Sequence, residues 1–244
     1  MKTGCCTYGA TAYKLIEGLQ MVLELRRAKG KKIDIFAEDE FYCRCYPKDL
    51  RLLGITECSE GVQTECSGEK FALFEKEVFL PRAKRRALFL LGKKEYTETE
   101  LKKKLSSDGY PGAIVEEVLV YLKDLHYVND TSFAERYALY LLPKCSEREL
   151  VQKMITKGFQ KDLIKEAVEA AKEAYRFEHE NSEEGERPEV VAIRGFLRKK
   201  GYRWEEADEE KKKKVIAALC RKGFSFSDIK EVMGALETEE ELFY

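Results

Sequence analysis

The residue types able to do covalent or metal chemistry are few in this chain and badly spaced for it. Only His126 and His179 are present, and the eight cysteines include no C-x-x-C pair, whereas a closed zinc site takes about four ligands at recognisable spacing. Cys43 and Cys45 stand two apart in a segment with strand periodicity. Both thiols therefore share one sheet face and read as small buried apolar groups. Nothing matches G-x-S-x-G, H-E-x-x-H, a phosphate-binding P-loop or a dinucleotide glycine fingerprint. Glu116 and Glu117 fall where a helix turns to water, so no acid–base pair is assigned. The sequence predicts no catalytic site, no metal and no cofactor.

What remains is the chemistry of charge. Arg82, Lys84, Arg85 and Arg86 form the densest basic stretch, with Lys102, Lys103 and Lys104 on the next predicted helix. A second group is Arg194, Arg198, Lys199, Lys200 and Arg203, with Trp204 adjacent. Positions three and four apart, such as Arg82 with Arg85 and Arg86, or Arg194 with Arg198, fall on one helix face. Such a face suits acidic protein surface or phosphate. A charge run is as often only a solvated helix surface, although arginine's planar fork favours specific contacts over lysine's point charge. Trp204 reads as helix-edge packing before base stacking.

The overall charge narrows the partner. With 44 Lys+Arg against 45 Asp+Glu and a formal net charge of -1, there is no bulk positive excess to hold the chain on nucleic acid. Hydrophobic residues make up 44% and charged residues 36%, enough for a core but with a large solvated surface, as in an elongated helical molecule. No run approaches the roughly 18 apolar residues of a membrane-spanning helix, and Met1 to Gln20 lacks a secretory pattern. The expectation is a cytoplasmic monomer with free thiols.

Two kinds of element must position these residues. Leu19, Met21, Leu23 and Leu25, then Ile33 and Ile35, then Phe41, Cys43 and Cys45 alternate as short strands. Glu38 to Glu40 forms the turn between the second and third. Pro47 opens a brief helix through Leu50 and Leu53 that stops at Gly54, and Glu57 to Gly68 reads as a linker. The weakly patterned residues 1–20 are expected to be a poorly ordered tail, with Met21 as an alternative start.

From about Phe71 onward the period becomes helical and an internal repeat emerges. Leu101, Leu105 and Gly109 correspond to Leu150, Met154 and Gly158, and to Val215, Leu219 and Gly223. An aromatic follows each glycine: Tyr110, Phe159 and Phe224. The glycine supplies the left-handed end of one helix, and the aromatic packs back over the corner. Beyond it the apolar stripe recurs in register, as in Val115, Val118, Leu119 and Leu122, or Ile229, Val232, Met233 and Leu236. Thr97 with Glu100 and Ser146 with Glu149 read as capping boxes, Ser225 with Asp228 as a looser one. A further apolar helix precedes each pair: Ala83 to Leu91, Phe133 to Leu142 after the cap candidate Asp130, and Val190 to Leu197 after Pro188.

These segments resemble the regulatory RecX family. The resemblance is carried by Tyr127-Val128-Asn129-Asp130-Thr131-Ser132-Phe133-Ala134, by Glu100-Leu101-Lys102-Lys103-Lys104-Leu105, by Lys157-Gly158-Phe159, and above all by Ala217 to Ile229. It covers nearly all of Met21 to Leu236. It implies a mainly α fold of three tandem three-helix repeats in an elongated array, preceded by a small β-strand-rich N-terminal region. The expected boundaries are 1–20 for the tail, 21–68 for the strand-rich region with its linker, and 69–129, 130–181 and 182–244 for the repeats. The resemblance further implies a non-enzymatic modulator, usually an inhibitor, of the recombinase RecA. Such proteins lie in the groove of the RecA filament on single-stranded DNA and affect recombination and DNA repair. The alternative is a helical-repeat module that binds DNA directly, without RecA; DNA alone is expected to be the weaker partner.

Overall fold

A computed structural model of this chain describes residues 20–37, 39–55, 63–179, 186–203 and 207–241, of which 236–241 are described by backbone only. The expected tail up to Leu19, Glu38 of the turn, most of the joint at Asn181 to Arg187, and Trp204 lie outside the described residues.

Period-two alternation decides the N-terminal sheet. Strands β1 (Gln20–Ala28), β2 (Lys32–Ala37), β3 (Glu40–Cys45) and β4 (Gln63–Ser67) pair antiparallel in the order β3-β2-β1-β4. Leu23, Leu25, Ile33, Ile35, Cys43 and Cys45 all turn to the buried face. Burial pushes the Cys43 thiol well above its ordinary pKa. On the other face Arg44 holds Asp34 through two contacts of 2.6 and 3.0 Å.

Strand β4 corrects the expected linker over Glu57 to Gly68. Cys66 sits opposite Met21 and Thr64 opposite Leu23, yet Gln63 and Glu65 face water. An edge strand with one neighbour needs little apolar content, and so its sequence reads as loop.

The helix expected over Ala83 to Leu91 is the last part of a longer one. Helix α1 (Gly68–Phe74) passes through a π-helical stretch (Glu75–Phe79) into α2 (Leu80–Leu91), where the sequence suggested a start at Ala83. Pro81 would interrupt a uniform α-helix; the wider turn just ahead of it, with the Leu80 amide reaching the Glu75 carbonyl, absorbs the irregularity. Phe71, Phe74, Val78 and Phe79 are buried along this stretch, and Phe74 meets Phe79 edge-on at 5.2 Å.

Three helix triplets result. Helices α3 (Glu98–Ser107) and α4 (Gly112–Asp124) follow α2; α5 (Asp130–Leu141), α6 (Glu147–Lys157) and α7 (Lys161–His179) form the second; α8 (Pro188–Lys199), α9 (Glu209–Lys222) and α10 (Phe226–Glu241) form the third. The repeated glycines occupy one setting: Gly109, Gly158 and Gly223 have φ of 90°, 94° and 96°. After them the amides of Tyr110, Phe159 and Phe224 donate back to Leu105, Met154 and Leu219 at 3.3, 3.2 and 3.2 Å. This is the double-bonded helix ending that a left-handed residue permits.

The helix starts are more varied. Thr97 and Glu100 form a complete box. Ser146 accepts the Glu149 amide at 3.2 Å, but the Glu149 carboxylate turns to Lys153 and Lys222 instead of closing the box. Asn129, not Asp130, caps α5, accepting the Ser132 amide at 3.1 Å. Asp208 caps α9, accepting the Lys211 amide.

The chain divides at Val128 into two units. In the first, one continuous core joins the sheet to the first triplet, running from Met21 to Val128 through Leu50, Phe74, Leu101 and Leu119. The strand-rich region therefore packs on its repeat. In the second unit each triplet has its own core, around Leu150 and Met154 in one and Ile193 and Leu219 in the other.

Candidate partner-binding surfaces

The basic residues of α2 do not form a uniform face. Arg82 turns inward and grips Asp49, which is only 6% exposed, with contacts of 2.5 and 2.7 Å. Burial disfavours the Asp49 carboxylate, but Arg82 and the Tyr46 amide outweigh it and hold its pKa below the ordinary value. Arg82 thereby fastens the Pro47–Leu53 turn to α2. Arg86 donates to Asp108 at the end of α3 at 2.7 Å. Lys84 lies over the Tyr121 ring at 4.0 Å. Of this cluster Arg85 is the exposed one, bonded only to the Pro81 carbonyl at 3.4 Å.

On α3, Lys102 pairs with Glu116 across the hairpin, while Lys103 and Lys104 are exposed. In the third triplet Arg194 pairs with Glu186 at 2.5 Å, and Arg198, Lys199, Lys200 and Arg203 are exposed around the end of α8. The structure thus leaves Arg198, Lys199, Lys200 and Arg203 exposed and splits the first group into structural and outward-facing members. Surface pairs such as Lys102 with Glu116 contribute about 0–1 kcal/mol and do not keep a lysine from exchanging partners.

The sequence reading passed over residues at the ends of the first helices. Aligned on their core positions, Ala83, Ala87 and Leu90 of α2 match Ala134, Ala138 and Leu141 of α5, all buried. That register places Phe89 beside Tyr140, and Lys93 beside Lys144. The rings are 54% and 61% exposed, and each carries its lysine: Lys93 Nζ is 4.3 Å from the Phe89 centroid and Lys144 Nζ 3.0 Å from that of Tyr140. In α8 the buried positions are Val190, Ala192, Ile193 and Leu197, a spacing that does not repeat the register of α2 and α5. The signal was present in the sequence, but only the first-helix register makes it visible.

Joints between elements use the glycine corners. In the first unit the Arg44 amide donates to the Gly109 carbonyl at 3.1 Å. In the second, the Ser146 hydroxyl donates to the Lys222 carbonyl at 2.5 Å, and Lys222 Nζ lies 2.9 Å from Glu149. Lys222, set against burial and aided by Lys153, holds the Glu149 carboxyl below its usual range.

Among the described residues no group of three or more His, Cys, Asp or Glu could hold a metal ion, and no helix is long and apolar enough to cross a membrane. Comparison with known proteins agrees with the triplet architecture. Residues 83–122 match the family model "RecX, first three-helix domain" and residues 189–233 match "RecX, third three-helix domain". A Regulatory protein RecX from Chlorobium limicola is 31% identical over 151 residues, covering 62% of this chain and 86% of the relative. This chain belongs to the RecX family. A RecX from Clostridioides difficile is 25% identical over 223 residues, 90% of this chain and 96% of that one. A crystal structure of regulatory protein RecX superposes with a TM-score of 0.50 at 19% identity, covering 89% of this chain and all of that one; it supports the fold. RecX is by name a family of regulatory proteins, which sets the chain apart from named enzyme families.

Proposed function

We propose that this RecX-family chain is a non-enzymatic regulator, inhibitory in sense, of a RecA-type recombinase in the cytoplasm, acting as a monomer along the groove of the RecA filament on single-stranded DNA. The observation that supports this most is the triplicated helix hairpin, with its three glycine corners in one conformation, in a chain of RecX sequence. Repeated modules on one chain gain from effective concentration, so weak contacts to successive units of a polymer add to firm binding when the spacing matches. The contact residues we assign are those whose charges point outward: Arg85 and Lys103 in the first triplet, Arg198, Lys199, Lys200 and Arg203 in the third. Lys84, Arg86, Lys102 and Arg194 stand beside them, already held by neighbours, and Arg82 serves the fold. The near-balanced charge favours a protein filament over naked DNA as the main partner.

The test is RecA ATPase and strand exchange on single-stranded DNA with the chain added, together with co-sedimentation. Reduced rates and co-sedimentation are expected, with both effects weakened by Arg85→Glu and Lys103→Glu. Unchanged rates at stoichiometric excess without co-sedimentation reject the reading, and rates that rise reverse its sign.

A further inference from the structure

We infer that the two ring–lysine pairs, Phe89 with Lys93 and Tyr140 with Lys144, are each a contact point for one nucleotide of a single strand, the ring taking the base and the lysine the phosphate. The inference rests on the filament reading and names the part of the filament that these residues touch.

Three observations carry it. First, the pairs recur in two triplets: counted from the buried alanines Ala83 and Ala134, which share the core register of α2 and α5, the ring comes six residues later and the lysine ten. Second, the fold does not use them. Phe89 and Tyr140 lie outside the buried cores, at 54% and 61% exposure, where a polar residue would serve a helix surface better. Third, each pair joins the two chemistries that unpaired nucleic acid offers. Base–aromatic stacking tolerates any sequence because every base has a π-face, and cations beside the ring track the backbone.

Arg86, 5.8 Å from the Phe89 centroid, adds a second cation at the first pair. Each ring thus carries a cation, Lys93 and Arg86 at Phe89 and Lys144 at Tyr140, that a base would replace. On binding, the flexible ammonium needs only to swing from the ring to the adjacent phosphate. An acidic protein surface would satisfy the lysines but gives no use for two open rings. Duplex DNA keeps its bases stacked within the helix.

The experiment is fluorescence anisotropy of the full chain with labelled oligo(dT), an abasic oligonucleotide of the same length, and a duplex, over a salt series and without recombinase. Oligo(dT) should bind tighter than the abasic strand or the duplex. Phe89→Ala and Tyr140→Ala should each weaken oligo(dT) binding by roughly tenfold, with Phe89→Tyr near wild type. They should leave abasic binding and the salt slope unchanged. Lys93→Ala and Lys144→Ala should each reduce the salt slope by about one phosphate contact. No binding of oligo(dT) by wild type, equal affinity for the abasic strand, or ring variants that bind like wild type overturns the inference. Because no recombinase is present, such a result leaves the regulatory reading standing; wild type that binds oligo(dT) yet has no effect on RecA fails that reading alone.

Discussion

Substituting Gly223 by alanine separates two reasons for a glycine. Both Gly223 and Gly201 end helices of the third triplet with positive φ, 96° and 61°. A left-handed conformation costs an ordinary residue roughly 1–2 kcal/mol, and Gly201→Ala should cost just that, since nothing lies within 4 Å of the added methyl. At Gly223 the new Cβ would stand 2.8 Å from Arg148 Cβ, 2.9 Å from Arg148 Cδ and 3.3 Å from Ser146 Oγ. The arginine Cδ can swing away, but its Cβ is fixed to α6, so the corner itself must move. Forcing atoms into such a contact adds roughly 1–3 kcal/mol, and retreat of the corner also stretches the Ser146 bond to Lys222. Gly223→Ala should therefore destabilise by about 2–5 kcal/mol in all, read as urea midpoints by far-UV circular dichroism. In an Arg148→Gly background most of the excess should vanish, because both clashing carbons are gone and only the 3.3 Å contact with Ser146 Oγ remains. Equal losses for Gly201→Ala and Gly223→Ala, within about 0.5 kcal/mol, refute the idea that this glycine is required by a close approach.

Three further outcomes follow from buried groups. Asp49→Asn should cost about 2–4 kcal/mol at neutral pH by leaving Arg82 half-buried without its counter-ion. Because the folded carboxyl titrates below its unfolded value, that stabilisation is present above the unfolded pKa and is lost as pH falls through the folded one. The gap between wild type and Asp49→Asn in urea titrations should thus close below about pH 4; a gap independent of pH would show that the charge is not what matters. Leu101→Ala and Leu150→Ala, at fully buried positions, should each cost about 2–5 kcal/mol, and a loss under 1 kcal/mol in thermal unfolding would place them outside the cores. Ser146→Ala removes both a helix cap and the bond to Lys222, for roughly 1–2 kcal/mol; a hydrogen-exchange comparison should show the start of α6 and the end of α9 loosening together.

What the sequence disclosed depended on how periodic each element was. The triplicated spacing from Leu101 to Gly109 forces a helix, a left-handed corner and a second helix wherever it occurs, and those hairpins stand as expected. Strand β4 was missed because an edge strand with exposed Gln63 and Glu65 carries half a pattern. The helical period was legible from about Phe71, but its continuity into the Ala83 to Leu91 helix was not, because Pro81 masks a join that a π-helical stretch restores. At the candidate surfaces, charge was legible but orientation was not. Arg82, Arg85 and Arg86 share a helix face by spacing, yet a carboxylate 33 residues away claims Arg82, and spacing along one helix cannot reveal a partner on another element. The ring–lysine pairs escaped notice for the opposite reason: each is unremarkable alone, and only the packed alanines beneath them put Phe89 and Tyr140 in register.

The same logic explains how a chain of neutral overall charge can keep both an exact fold and a binding surface. Every repeat must spend its apolar residues on a small core, because a triplet of this size has little else to bury. Cations that join elements, such as Arg82 to Asp49 and Lys222 to Glu149, are committed to those carboxylates. Reversing their charge would disturb the fold and be misread as loss of binding. Arg85, Lys103, Lys199 and the two exposed rings carry no such duty, so substitutions there change the surface and leave the cores alone. Variants of the outward set that lose function with an unchanged urea midpoint would locate recognition on the helix exteriors; if function fell only in variants whose midpoint also fell, recognition would instead reside in the joints.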